Sequence, residues 1–208
     1  MDSSVFISFL SASVLLTFMP GPDIIYVIMQ SISNGKKYGI VTALGLVAGI
    51  IVHTTYIAFG LAALINKSDT LFMIIKIFGA FYLFFLAYKT WRSSADINLD
   101  DKVKIKPNLF KLFKQGFVMN VLNPKVALFF LAFFPGFIVP SNGSITLQIY
   151  ILGLLFMVQA FLVFTFVSVI SDRLTGFLRN NLKFEEFLKW FQIIVFIAIG
   201  FFILFSKK

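Results

Sequence analysis

Residues 113–134 read FKQGFVMNVLNPKVALFFLAFF. The run is apolar and long enough to cross about 30 Å of hydrocarbon. Yet Asn123-Pro124 interrupts its centre, and a lysine, Lys125, follows at once. Proline removes a backbone donor and pushes off the carbonyl four residues back, here that of Asn120. Asparagine directly before proline reads as an N-cap followed by the first helical position. The stretch therefore predicts two half-helices within one span, with a plain proline kink as the alternative. The same device occurs earlier. Met19-Pro20-Gly21-Pro22-Asp23 interrupts an apolar run over 5–29, and its prolines release the carbonyls of Leu16 and Phe18. Gly21-Pro22 reads as the second cap, with Asp23 just inside the new helix as Lys125 is in the other.

Four further runs reach spanning length: 39–65, 71–88, 147–170 and 190–205. With the two broken ones they predict an all-α integral membrane protein of six transmembrane helices. Composition agrees: 59% of residues are hydrophobic, 13% are charged and 29 are Phe, with a mean hydropathy of +0.94. A soluble domain averages about 25% charged residues and could not hide this much apolar surface. Lys and Arg are distributed unevenly between the spans. Lys36 and Lys37, the seven from Lys89 to Lys114, and Arg173, Arg179, Lys183 and Lys189 place 13 on one side, against 3 on the other, Lys67, Lys207 and Lys208. The positive-inside rule then puts the 13 in the cytoplasm and both termini outside. The N-terminus lacks a basic n-region, so the first run reads as a retained span and not a signal peptide.

One long polar connection divides the chain into halves of three spans: residues 1–92, a cytoplasmic linker over 93–111, and 112–208, all within a single transmembrane domain. Three is odd, so the second half runs inverted against the first. A three-plus-three inverted repeat with helices 1 and 4 broken is a recurring plan of secondary transporters.

Several chemistries are excluded. There is no cysteine and one histidine, which removes disulfides, thiolate metal sites and multi-histidine metal sites. No cofactor is expected. The net charge of +9 follows the orientation rule and does not call for nucleic acid. No nucleophile–base pair or paired carboxylates occur in the spans, so the chain does not read as an enzyme, and no Gly-rich phosphate loop is present.

The ionisable residues at the breaks are the expensive ones. A charge near the bilayer centre costs about 2.5–3.5 kcal/mol even on insertion scales. Asp23 and Lys125 have opposite sign and comparable depth, which predicts a shared cavity for a zwitterion; a bare structural salt bridge is the alternative. Substrate carboxylate would meet Lys125 and the half-helix N-termini at Gly21 and Asn123, and substrate ammonium would meet Asp23 and the freed carbonyls. The substrate-binding set is thus Pro20, Gly21, Pro22, Asp23, Tyr26, Asn120, Asn123, Pro124 and Lys125. Gly45, Gly49 and His53 share one face of the second span; the glycines permit close packing. His53 reads either as a core histidine bonded to a neighbouring helix or, with Asp23, as a proton-coupling residue. Gln159 is a further candidate for the cavity wall, whereas Gln30 and Gln115 read as interfacial.

These residues resemble a known family. Met19-Pro20-Gly21-Pro22-Asp23 is similar to the first-helix signature of the LysE/RhtB amino-acid exporters. Gln115-Gly116-Phe117 with Asn120 and Asn123-Pro124-Lys125-Val126-Ala127-Leu128-Phe129-Phe130 resembles the fourth. Gly45-x3-Gly49-x3-His53 resembles the second and Gly79-Ala80-Phe81-Tyr82-Leu83 the third, with Gly79 as a packing glycine. The resemblance covers essentially the whole chain. It implies a bacterial inner-membrane exporter of amino acids or close derivatives, of homoserine/threonine, leucine or lysine type, working with protons as the coupling partner in the lipid bilayer. A homodimer is left open. The alternatives are an ion or small-metabolite transporter of another class and a non-transport membrane assembly subunit.

Overall fold

The computed structural model describes residues 3–19, 21–65, 69–92, 108–179 and 182–205. Pro20 lies outside the described residues, as do the side chains of Pro124 and Lys125. The described residues form helices and two short 3-10 turns, with no strand. In chain order the helices are α1 (Ser3–Phe18), α2 (Pro22–Asn34), α3 (Lys36–Ile65), α4 (Asp69–Arg92), α5 (Leu109–Val121), α6 (Pro124–Phe133), α7 (Ile145–Arg179) and α8 (Leu182–Phe205).

Both interruptions are present. α1 ends at Phe18 and α2 starts at Pro22, with the axis turning by 58° between them. α5 ends at Val121 and α6 starts at Pro124. Two described helical stretches are long and apolar enough to cross a membrane, Lys36–Gly60 and Ile145–Ser171, and the bent pair α1–α2 makes a third if it is one span. Several helices outrun the apolar segments that announce them. α7 continues to Arg179 and α8 begins at Leu182, because hydropathy marks the part in lipid and not the helical turns beyond it. α5 begins at Leu109, inside the expected linker, where the Asn108 side chain accepts from Phe110 N at 2.8 Å and the Asn108 carbonyl from Leu112 N at 3.1 Å. That side-chain acceptor satisfies one of the donors a helix start leaves open.

α3 lies among α2, α5 and α7, while α4 packs on α8 and α6. Between membrane helices no hydrophobic driving force operates, so close backbone approach and hydrogen bonds carry the association. α3 uses both. A Cβ on Gly45 would collide with the Phe113 carbonyl of α5, and one on Gly116 would stand 2.6 Å from the Thr42 carbonyl of α3. Gly49 faces Asn120 and Gly153 of α7 faces Thr54. Gly79 is buried on α4. The α2–α3 turn is made at Gly35, whose φ of +101° suits glycine. It is fastened to α7 by Ser168, whose hydroxyl donates to the Lys36 carbonyl at 2.8 Å and lies 2.7 Å from Ser31 Oγ.

Phenylalanines fill the other side of the bundle. Phe9 of α1, fully buried, meets the rings of Phe133 and Phe137 with centroids 5.2 Å away. Phe130 of α6 lies edge-on to Phe156 of α7 at 5.0 Å. The outer surface carries Tyr56, Phe59, Phe78, Phe81, Leu154 and Leu162, all exposed. An apolar exterior of this extent suits lipid and not water.

The glycine crossings predict a contrast. Gly45→Ala or Gly116→Ala must push α3 from α5 and should lower the midpoint of thermal unfolding in detergent by several degrees. Gly60→Ala, with nothing within 4 Å of the new Cβ, should leave it unchanged or raise it, since alanine favours a helix interior. Equal midpoints for all three would mean that the helices are not in contact at these glycines.

Candidate functional site

The two breaks meet. Asp23 is the second residue of α2, whose first residue is Pro22 and whose cap is Gly21 in extended conformation (φ −161°, ψ 173°). The Gly21 carbonyl accepts Ile25 N at 3.0 Å, so glycine, proline and acid occupy the positions that the sequence assigns them. A carboxylate in the first turn is favoured by the free N–H groups and the positive end of the helix dipole. On the other break, the Asn123 carbonyl accepts Ala127 N at 3.2 Å and starts α6. The side chains of that break turn toward Asp23. Asn123 Nδ2 donates to Asp23 Oδ1 and Asn120 Nδ2 to Asp23 Oδ2, both at 3.4 Å. These bonds are longer than the usual 2.7–3.2 Å. The carboxylate that leads α2 is thus held by the two amides that flank the end of α5.

The freed carbonyls are mostly taken by the protein. The Leu16 carbonyl accepts Met19 N at 3.1 Å, and the Asn120 carbonyl accepts both Asn123 N at 3.0 Å and His53 Nε2 at 3.0 Å. A carbonyl only accepts, so His53 carries its proton on Nε2. The Asn120 carbonyl thus has both its lone pairs in use, and the Leu16 carbonyl has one protein donor. His53 is buried, reaches from α3 across to α5, and holds the carbonyl that Pro124 leaves without its helical donor. Its core reading is the one this geometry matches. Asn120 Oδ1 is buried with no hydrogen-bond partner; the amide is turned so that its nitrogen, and not this oxygen, faces the carboxylate.

Asp23, Asn120 and Asn123 line a cavity of about 110 Å³ together with Gly21 and Pro22. Apolar cavities of about 150 Å³ accept a molecule the size of benzene, and this one is somewhat smaller. The remaining wall comes from α1, α2, α3, α6, α7 and α8 and is almost wholly apolar. Tyr26 is not among the lining residues; its hydroxyl bonds the Gln30 side chain. Gln30 is buried and accepts from Asn34 at 2.9 Å. Gln115 is exposed. Gln159 is buried and its Nε2 donates at 2.9 Å to Thr17 Oγ1, a wall residue. Thr17 went unnoticed in the sequence, although Ser13 and Thr17 stand four apart on an apolar helix and so share a face. Among the described residues no group of three His, Cys, Asp or Glu side chains is placed to hold a metal.

A carboxylate and two amides set at paired helix breaks, inside a bundle whose exterior is apolar, is the layout of a polytopic membrane transport protein. The chain belongs to the LysE type translocator family, whose model matches residues 14–207. It is 32% identical over 202 residues to the uncharacterized membrane protein YrhP of Bacillus subtilis (strain 168), covering 93% of this chain and 95% of that one. It is 29% identical over 193 residues to the homoserine/homoserine lactone efflux protein of Salmonella typhimurium, covering 93% and 92% respectively, and equally so to that of Salmonella typhi. No solved structure gives a significant match. The chain is therefore a membrane transporter and not an enzyme.

The role of His53 is open to measurement. His53→Gln keeps an N–H donor for the Asn120 carbonyl, while His53→Ala leaves that buried acceptor with one donor fewer, at a cost of about 1–3 kcal/mol. Transport by the Gln variant should exceed that of the Ala variant at least several-fold, each normalised to inserted protein, with the pH profile of the Gln variant matching wild type. Equal loss in both variants with a displaced pH profile would make the imidazole's titration, and not its hydrogen bond, the property that matters.

Proposed function

We propose that this chain exports an amino acid or a close derivative from the cytoplasm in exchange for protons. The observation that carries the reading is the Asp23 carboxylate, held between the two helix breaks by Asn120 and Asn123 in the wall of a small cavity. The relatives named as homoserine/homoserine lactone efflux proteins support cargo of amino-acid type. In this reading the cargo's ammonium group meets Asp23. Its carboxylate meets the half-helix N-termini at Gly21 and Asn123, each worth about half a positive charge, and Lys125, one residue into α6 after Pro124. Pro20, Pro22 and Pro124 keep the breaks open.

The same reading places six spans in the membrane, as two inverted halves (1–92 and 112–208) joined by a cytoplasmic linker (93–111). The protein resides in a bacterial inner membrane with both termini outside. The charge bias between loops supports this orientation. Coupling follows from Asp23. Protonation removes its negative charge, weakens the charge-assisted bonds from the two amides and loosens its hold on an ammonium group. One elementary charge moved through 100 mV is worth about 2.3 kcal/mol, or roughly a 40-fold gradient, so one or two protons per cargo molecule suffice.

Efflux of labelled amino acid from loaded cells, normalised to inserted protein, tests the site. Asp23→Asn should abolish it, with efflux below about a tenth of wild type and unchanged insertion. Asn120→Ala and Asn123→Ala should reduce it strongly. Undiminished efflux by Asp23→Asn would remove the carboxylate from the mechanism. Reporter fusions test the topology: a fusion near Lys104 should be cytoplasmic and one at Lys207 external, and a cytoplasmic C-terminus would overturn the six-span arrangement.

A further inference from the structure

The composition of the cavity wall goes beyond the class of cargo to its side chain. Around the two breaks the lining is polar: Asp23, Asn120 and Asn123. Elsewhere it is built from Leu16, Ile50, Phe129, Phe130, Phe156 and Phe164, drawn from four different helices. The described exception is Thr17, and its hydroxyl is already in use. It donates to the Ser13 carbonyl at 2.8 Å and accepts Gln159 Nε2 at 2.9 Å. The site therefore has one polar end and one apolar end, and among the described residues the apolar end offers no uncommitted donor.

We infer that the cargo is an amino acid with an uncharged, apolar side chain, of the valine or leucine kind, and that this cavity discriminates against side chains bearing a hydroxyl or an amine. The inference rests on the exporter reading above. The ammonium and carboxylate groups common to all amino acids belong at the polar end, since the apolar end cannot bind them. The side chain then lies against the phenylalanine rings. A methyl group there leaves water at a gain. A hydroxyl gives up its hydrogen bonds with water and finds no replacement, and an ammonium group loses far more. For an isosteric pair that differs only by hydroxyl against methyl, an apolar pocket separates the two by roughly 100-fold. Valine and threonine are such a pair, so shape cannot account for a difference between them.

The test uses inside-out membrane vesicles containing the full chain and energised by respiration, in which an exporter accumulates its cargo. Radiolabelled valine, threonine and lysine are compared by initial rate over concentration. Valine should exceed threonine by about 10- to 100-fold, and lysine should not accumulate above vesicles lacking the protein. Ala160→Ser adds a hydroxyl to the apolar wall at a buried residue and should narrow the valine-to-threonine ratio at least threefold. Threonine or lysine carried as well as valine would overturn the apolar-cargo inference and leave the exporter reading standing. An unchanged ratio in Ala160→Ser would overturn the assignment of selectivity to this cavity. No accumulation of any amino acid, with the protein inserted, would overturn the exporter reading and this inference with it.

Discussion

No backbone N–H or C=O can be left to hydrocarbon, where each unmet group costs several kcal/mol, and the site exists because this chain breaks its helices there anyway. Part of the repair is local, as where Met19 N meets the Leu16 carbonyl, and part comes from another helix. At α5–α6 the repair comes from α3: His53 Nε2 stands 3.0 Å from the Asn120 carbonyl. That reach requires the two helices to lie close. The closeness requires Gly45 and Gly49 on α3 and Gly116 on α5, since a Cβ at any of them would meet the partner helix inside contact distance. Packing, hydrogen bonding and the position of Asn120 are therefore one arrangement. A change at a glycine two turns away reaches the amide that holds Asp23.

Asp23 depends on the same repair. Its bonds to Asn120 and Asn123, both 3.4 Å, come from residues whose backbone course is set by Pro124. A continuous helix through 120–124 would carry those two side chains on one face, about 60° apart in projection at 3.6 residues per turn. Across the break both amides still turn to the one carboxylate. Neutral amides hold the carboxylate without adding a fixed opposite charge. Their donation to a carboxylate is charge-assisted and weakens once the acid is protonated. Asp23 further gains from its place in the first turn of α2, where the dipole favours a negative charge. The proline-glycine-proline sequence before it is what creates that first turn inside an otherwise apolar run.

Much of this was legible from residue order alone. Proline's missing donor and the cap chemistry of Gly21 and Asn123 are local, so both interruptions could be read without knowing any neighbour. The face shared by Gly45, Gly49 and His53 follows from helical periodicity, and the structure puts all three against α5. Other features depend on which helices adjoin, which a single sequence does not encode. The Thr17–Gln159 pair joins residues 142 apart in sequence, and the Ser31–Ser168 contact joins residues 137 apart. The phenylalanine wall was hidden differently. With 29 Phe in the chain, nothing in the pattern separates those facing a cavity from those facing lipid. The first turn of α5 was read as linker because its polar composition says nothing of the cap at Asn108.

The bundle is held in two unlike ways, and the breaks lie where they join. α3 is fixed to α5 and α7 by glycine contacts and directional bonds, which hold one register only. α1, α6 and α7 meet largely through phenylalanine rings, in tilted and edge-on pairs with centroids 5.0–6.5 Å apart, with one directional pair, Thr17–Gln159, between α1 and α7. Ring pairs of these geometries differ by only about 1 kcal/mol, so one can be exchanged for another at small cost. A displacement of α6 against α1 or α7 thus meets less resistance than one of α3 against α5. α6 begins at Asn123-Pro124 and α1 ends just before Gly21-Pro22. The half-helices that meet through rings therefore end or begin at the breaks, and Asp23, at the start of α2, faces the amides at the other break. The bond from His53 to the Asn120 carbonyl rests on the α3–α5 contact and not on these ring pairs.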